Sequence, residues 1–191
     1  MPILGIIASS ISGNLDANDF ESIATTTVGS GGAASVEFTS IPATYTHLEL
    51  RSLNINTGTG ASPWQANNLI RFNSDTGSNY ARHSLIGNGS ATSAEGVSSV
   101  TFILGGKGGN LNGSYTNYVG SQVTSILDYA NTNKYKTVRT FTGADFNGAG
   151  EVFFTSGLWM NTNAITSITI TNDAGNLAQY SSFALYGIRS A

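Results

Sequence analysis

AITSITIT (Ala164–Thr171) and QYSSFALYGI (Gln179–Ile188) are the two segments with the clearest strand signal in this sequence. Both are rich in β-branched and aromatic residues, which favour extended backbone. The residues between them, Asn172–Asn176 (NDAGN), are typical of a turn. Together these segments predict a closing pair of strands, against which the earlier strands of the chain pack.

Alternation of apolar and polar residues extends the strand pattern back to Phe20. In Ala34–Ser40 the apolar Val36 and Phe38 share one face, and Thr46–Ile55 alternates in the same way. Further strand candidates are Ser22–Val28, Leu69–Phe72, Tyr80–Ile86, Val97–Leu104, Val119–Tyr129, Lys134–Thr142 and Glu151–Met160. No segment has a sustained helical period with caps. Roughly eight to eleven antiparallel strands separated by frequent turns predict an all-β fold, a jelly-roll-like antiparallel β-sandwich with a short N-terminal arm.

The composition is that of a charge-poor chain. Of its 191 residues 40% are hydrophobic and 10% are charged, against about 25% charged in an ordinary soluble domain. A surface of Ser, Thr, Asn and Gly suits packing against neighbouring molecules, because few charges must lose their water. The net charge of −3 and the scattered basic residues provide no basic face for nucleic acid. The absence of cysteine excludes disulfides, thiol catalysis and thiolate metal sites.

Met1–Ser12 (MPILGIIASSIS) is a short apolar segment at the start of the chain. It lacks the basic start and longer apolar run of a signal peptide, and it is too short to span a membrane. It is either a first strand or an arm that docks on a neighbouring molecule. The docking side chains would be Ile3, Leu4, Ile6 and Ile7. We therefore divide the chain into an arm and linker, residues 1–19, and a sandwich domain, residues 20–191.

Sequence patterns for catalysis and for cofactors are weak. His47 and His83 lie on polar faces of predicted strands, so each is predicted to be solvated or paired across strands. Gly105–Gly109 (GGKGG) lacks the spacing and the Ser or Thr of a phosphate loop, and is predicted to be a turn. Asp145–Gly150 begins like a calcium loop, but Ala149 supplies no oxygen ligand. We predict no cofactor, no metal site and no enzymatic activity.

Two groups of residues leave other chemistry open. Five acids can meet in space as the carboxylate pair of a glycoside hydrolase: Asp75, Glu95, Asp128, Asp145 and Glu151. Four aromatic residues lie in or beside loops rich in Asn and Gly: Trp64, Tyr80, Tyr115 and Tyr118. Rings among amide side chains suit a glycan-binding surface, since sugar faces stack on rings. The alternative is that these rings cap the ends of the sandwich or lie between subunits.

Three segments resemble structural proteins of tailed bacteriophages. Phe20–Arg51 (FESIATTTVGSGGAASVEFTSIPATYTHLELR) is similar to a segment that recurs in these proteins. Ser182–Ile188 (SFALYGI) is similar to their ending, and Ile3–Ser9 (ILGIIAS) to their opening. The likeness covers the first quarter of the chain and its last strands, while Asn56–Asn163 matches nothing.

The resemblance implies a β-sandwich virion protein on the outer surface of the phage particle, commonly assembled as a homotrimer. Its implied partners are copies of itself and the major capsid protein, with no nucleic acid and no membrane. The short arm and single body favour a capsid cement or decoration protein that stabilises the head. The alternative is a receptor-binding module at the tip of a tail or head fibre, whose loop aromatics contact host glycans.

Overall fold

Two β-sheets make up the part of the chain that the structure describes. The structure is a computed structural model, and it describes residues 19–58, 66–110 and 118–189. Those residues form thirteen strands and no helix. The sheets are antiparallel apart from one short parallel pairing, and they pack as a sandwich. The predicted all-β antiparallel sandwich is therefore confirmed, with more strands than the sequence indicates.

The larger sheet has nine strands in the order β1-β13-β3-β9-β10-β11-β5-β6, with β8 beside β3. Its strands are β1 (Phe20–Thr27), β3 (His47–Asn56), β5 (Tyr80–Gly87), β6 (Thr92–Val100), β8 (Gly109–Asn110), β9 (Gly120–Leu127), β10 (Lys136–Asp145), β11 (Gly150–Trp159) and β13 (Ser182–Ile188). The smaller sheet, in the order β2-β12-β4-β7, contains β2 (Ser35–Phe38), β4 (Asn67–Phe72), β7 (Ile103–Lys107) and β12 (Ile168–Asn172). The chain crosses repeatedly from one sheet to the other, as in a jelly roll.

The core lies between the sheets and consists of the inward residues of both. Leu48 and Leu50 of β3 face Ile70 and Ile168 of the smaller sheet, all at 0% exposure. The polar residues predicted to share the other face lie outward in the first half of β3, as expected. From Ser52 the pattern reverses, because Ser52 and Asn54 are buried and Leu53 is half exposed. Each fully buried Leu or Ile contributes about 1.5–3 kcal/mol relative to exposure, which makes this core the main source of stability in a chain without disulfides.

The predicted closing pair of strands does form, but its members do not pair with each other. β12 lies between β2 and β4 in the smaller sheet, whereas β13 lies between β1 and β3 in the larger sheet. The residues between them cross the end of the sandwich, where Leu177 is buried and its N–H donates to the carbonyl of Ala33 at 2.9 Å. Turn-forming residues are compatible with a hairpin and with a crossing between sheets, so the sequence alone does not separate the two.

The prediction of one strand over Val97–Leu104 and a turn over Gly105–Gly109 is wrong. β6 begins at Thr92, and the chain then crosses to the smaller sheet for β7 and returns to the larger sheet at β8. The glycines of β7 are required by close packing rather than by a turn. A Cβ on Gly105 would lie 2.8 Å from Cγ1 of Ile70, and one on Gly106 would lie 2.7 Å from Oγ1 of Thr142.

Candidate functional site

A row of exposed apolar side chains crosses the outer face of the nine-stranded sheet. The strand register places one residue each from β9, β10, β11 and β5 side by side, and each side chain is between 39% and 57% exposed. We call these four residues the outer band: Val123, Phe141, Phe154 and Leu85. Contiguous apolar surface on a folded protein marks a contact site, whereas single exposed apolar residues do not.

Buried hydroxyl groups lie behind the outer band, on the inner face of the same strands. The hydroxyl oxygens of Thr124 and Thr140 are 2.9 Å apart, and those of Ser84 and Thr155 are separated by the same distance. All four residues are buried. A strand with one wet face normally has its apolar residues inside, so the middle of this sheet reverses the usual pattern. The reversal indicates an outer face that meets another surface rather than water alone.

The next row of the outer face is low, because two of its members have no side chain. We call this row the glycine row: Ser121, Gly143, Val152 and Gly87. A depression of about 640 Å³ opens over it, towards the turn between β10 and β11. A second depression of about 410 Å³ lies at the other end of the outer band, lined in part by Leu53 and Ala184. The outer face therefore combines a raised apolar row with an open row beside it.

Opposite charges lie on the two sides of these rows. Outward side chains along β10 follow the order Arg139, Phe141, Gly143 and Asp145. The row of Arg139 otherwise contains Ser125, Ser156 and His83. Arg139 and Asp145 are both exposed. On β10 the apolar surface therefore has a basic residue on one side and an acidic residue on the other.

Arg51 is the charged residue that lies next to the outer band on β3, where it pairs with Val123 in the strand register. Its Nε donates a hydrogen bond to Oε1 of Glu49 at 2.8 Å. Its guanidinium carbon lies 5.2 Å from the ring centre of Phe20 and 5.4 Å from that of Tyr186. The charge is thus balanced by a neighbouring carboxylate, and stacking on two rings extends the apolar surface towards β1.

The structure separates the aromatic residues predicted to bind glycans. Tyr80 lies in the core at 0% exposure, with its ring 6.4 Å from that of Trp159, so it is not available to stack on a sugar. Tyr118 lies at the opposite end of the sheet, 5.4 Å from the ring of Phe146 in the turn after β10. The other two aromatics and the four arm residues lie outside the described residues: Trp64, Tyr115, Ile3, Leu4, Ile6 and Ile7.

The five acids considered for catalysis each contact a partner other than a second acid. Asp75 accepts from Nε1 of Trp159 at 2.8 Å, and the carboxylate of Asp145 accepts from the N–H of Asn147 in the turn. The remaining three form ion pairs: Glu95 with Arg82, Asp128 with Lys134, and Glu151 with Lys107. A hydrogen bond from Lys134 holds the pKa of Asp128 below its usual value. Within the described ranges no three His, Cys, Asp or Glu residues are grouped so that they could hold a metal ion.

The outer band was missed by sequence reasoning, although one signal for it is present. In β10 and β11, apolar residues lie at both odd and even positions, and therefore on both faces of the strand. Examples are Val138 and Phe141 in β10, and Phe153 and Phe154 in β11. Such strands have no wholly polar face. The register between strands, which aligns the outward members into one row, is a property of the folded sheet.

Comparison with known proteins identifies distant solved structures and no family. The sequence matches no protein-family model and no curated protein. Among solved structures it is similar to A. japonicus CB05, at 13% identity and a TM-score of 0.40, over 96% of this chain and 28% of that one. A xylan β-1,4-xylosidase from Bacillus halodurans C-125 shares 7% identity over 76% of this chain and 28% of its own length, at a TM-score of 0.32. Alginate lyase Aly36B shares 8% identity over 87% of this chain and 80% of its own, at 0.33.

These likenesses are too distant to carry an argument about this chain. It spans about 28% of the length of the first two structures. The described residues also contain no helix that is both long and apolar enough to cross a bilayer.

Proposed function

We propose that this protein is a non-enzymatic structural protein of a bacteriophage virion, a cement or decoration protein that binds the outer capsid surface as an oligomer and stabilises the head. The observation that carries the proposal is the outer band, an apolar row on the open face of a sheet with few charges. Such a face favours contact with other protein surfaces, because its burial releases water at little cost in charge desolvation. The resemblance of the first and last strands to phage structural proteins supports the same role.

The N-terminal arm is the proposed contact with the capsid. It carries four large apolar side chains that would lie in a groove between capsid subunits: Ile3, Leu4, Ile6 and Ile7. A standard contact buries about 800 Å² on each partner. If half of that area is apolar, the gross gain at about 25 cal/mol per Å² is on the order of 10 kcal/mol, before the costs of ordering and association. Repeated over a capsid, such contacts oppose the outward pressure of packaged DNA.

Removal of the arm tests this role. We expect a chain without residues 1–12 to lose binding to expanded capsids while its circular dichroism and its oligomeric state stay unchanged. Replacing the four arm residues Ile3, Leu4, Ile6 and Ile7 with Ser should have the same effect, and replacing Ser9, Ser10 and Ser12 with Ala is the matched control. Unchanged capsid occupancy of the truncated chain would contradict the proposal. A count of hundreds of copies per virion supports a cement protein, and a few dozen or fewer indicates a fibre.

The receptor-binding alternative has one observation in its favour. Phe141 and Phe154 are adjacent in the strand register, and both rings are about half exposed. Two neighbouring rings offer a flat surface for a sugar face, with Ser125, Ser156 and Arg139 in the next row to meet its hydroxyls. Under this alternative, Phe141→Ala with Phe154→Ala abolishes adsorption to host cells and leaves capsid binding intact.

A further inference from the structure

The geometry points to a second copy of this chain as the occupant of the outer face. We propose that two nine-stranded sheets stack face to face about a twofold axis. The axis runs across the strands, between the outer band and the glycine row. Stacked sheets lie about 10 Å apart with their strands nearly aligned, so their outward side chains interdigitate. The pairing does not depend on a role in a virion.

Shape complementarity is the first argument. Rotation about this axis places each member of the outer band over the member of the partner's glycine row that lies on the same strand. Phe141 then meets the partner's Gly143, and Leu85 meets the partner's Gly87. The rings and methyl groups of one copy fill the depression of about 640 Å³ in the other. In an interdigitated core, large side chains of one layer pack against positions of the other layer that have small side chains or none.

The glycines themselves are the second argument. A Cβ on Gly87 would meet nothing within 4 Å, and a Cβ on Gly143 would come no closer than 3.5 Å to any neighbour. Neither glycine has a positive φ. The packing and backbone of the single chain therefore do not require glycine at these two positions, and glycine in a strand interior weakens the strand. A partner whose side chains enter these positions does require it.

Charge is the third argument, and it selects the direction of the axis. On β10, Arg139 lies three residues before Thr142 and Asp145 lies three residues after it. An axis across the strands at Thr142 places Arg139 opposite the partner's Asp145, and Asp145 opposite the partner's Arg139. An axis parallel to the strands and above β10 would instead place Arg139 opposite the partner's Arg139, and like charges repel.

The area available is sufficient for a stable pair. Strands lie about 4.8 Å apart and rise about 3.4 Å per residue, so the seven strands from β13 to β6 give a face of about 34 by 20 Å between the rows of Arg139 and Asp145. This projected area of about 680 Å² is close to the roughly 800 Å² of accessible surface that each partner contributes to a standard interface.

Sedimentation velocity of the full chain over a concentration series tests the pairing. We expect a species of twice the chain mass. Phe141→Glu and Leu85→Lys should each raise the dissociation constant of the pair by at least about 30-fold, the loss typical of a central contact residue. Tyr135→Glu, at an aromatic residue that is 51% exposed in the loop before β10, is the matched control and should leave the pair intact. Both band residues point outward, and near-ultraviolet circular dichroism verifies that the variants fold.

A charge exchange tests the axis. Arg139→Asp alone and Asp145→Lys alone should each weaken pairing by at least about tenfold, because both contact points then hold like charges. An equimolar mixture of the two variants should pair again, since each contact point of the mixed pair holds one acid and one base. Thermal melts of the separate variants verify that the turn after Asp145 is intact.

Three results would overturn the proposal. The first is that the protein sediments as a single chain at every concentration. If Phe141→Glu then also loses capsid binding, the outer face contacts a capsid protein and not a second copy. The second is a trimer, as the phage resemblance implies, whose mass does not change in Phe141→Glu. The third is that the pair still forms in the variants Phe141→Glu and Leu85→Lys, or that the mixture of Arg139→Asp and Asp145→Lys fails to pair.

Discussion

At the scale of single residues, Asp75 links the loop before β5 to the core. Its carboxylate accepts hydrogen bonds from Nε1 of Trp159 at 2.8 Å, from the side chain of Asn79 at 3.0 Å and from the N–H of Gly77 at 2.8 Å. Partial burial raises the pKa of Asp75, but these three hydrogen bonds outweigh burial and hold it below its usual value. The ionised form is therefore favoured by folding.

This lowered pKa predicts how stability depends on pH. A group whose pKa is lower in the folded state contributes stability above its unfolded pKa of about 3.9, and the contribution is lost as the pH falls through the folded pKa. We expect the free energy of unfolding to decrease at acid pH, and Asp75→Asn to remove part of that decrease while lowering stability at pH 7 by about 1–2 kcal/mol. Urea unfolding at pH 7 and pH 3 measures both. Glu37→Gln, at an exposed carboxylate on β2, is the control.

Tyr80 illustrates why a site residue is hard to predict from local composition. Its neighbours in the sequence are Ser, Asn and Gly, which describe the loop before β5 but not the direction of the ring. In the structure its hydroxyl accepts from the N–H of Phe72 at 3.1 Å and donates to the carbonyl of Asp75 at 3.2 Å. Burial raises its pKa to about 12. Its ring and hydroxyl are both engaged inside the sandwich, and neither is free for a ligand.

At the scale of strands, two glycines on neighbouring strands should respond to substitution in opposite directions. Gly143 points outward with room for a side chain, whereas a Cβ on Gly157 of β11 would lie 2.8 Å from Ile103. We expect Gly143→Val to stabilise the single chain by about 0.5–1 kcal/mol, because a β-branched residue suits a strand better than glycine. Gly157→Val should destabilise it by about 1–3 kcal/mol through overpacking.

Urea unfolding at low protein concentration measures both effects on the single chain. The same Gly143→Val substitution should abolish pairing in sedimentation experiments, because the added methyl groups occupy the space that Phe141 of the partner enters. A variant that is more stable as a single chain and yet unable to pair separates the two roles of this position. Intact pairing in Gly143→Val would contradict the placement of the axis.

The strands also show how far sequence reasoning extends. Alternation predicts the buried faces of β2 and of the first half of β3, because those faces are apolar, but it fails from Ser52 onward, where Ser52 and Asn54 are buried and Leu53 is exposed. It fails for the segment around Gly105, since glycine-rich sequence is typical of turns and here serves close packing between the sheets. It also cannot predict the outer band, which exists only once four strands from distant parts of the chain are aligned in register.

At the scale of the whole molecule, the proposed pair determines where the first described residues of its two copies lie. β1 is the edge strand of the larger sheet, and the described chain begins beside it at Asp19. Rotation about an axis across the strands superposes β1 of one copy on β1 of the other. The first described residues of both copies therefore lie at the same edge of the pair, and under the proposed function a single capsid surface would bind both arms.

Two linked contacts bind more tightly than one, because the second forms at a high effective concentration. We therefore expect Phe141→Glu, which separates the pair, to weaken binding to expanded capsids by about 100-fold although its arm is intact. Tyr135→Glu should bind like the wild type, and the chain without residues 1–12 should still pair but not bind. Quantitative binding to purified capsids, with sedimentation of the same samples, distinguishes these variants. Equal capsid affinity of wild type and Phe141→Glu would show that each arm acts alone and that pairing has no part in capture.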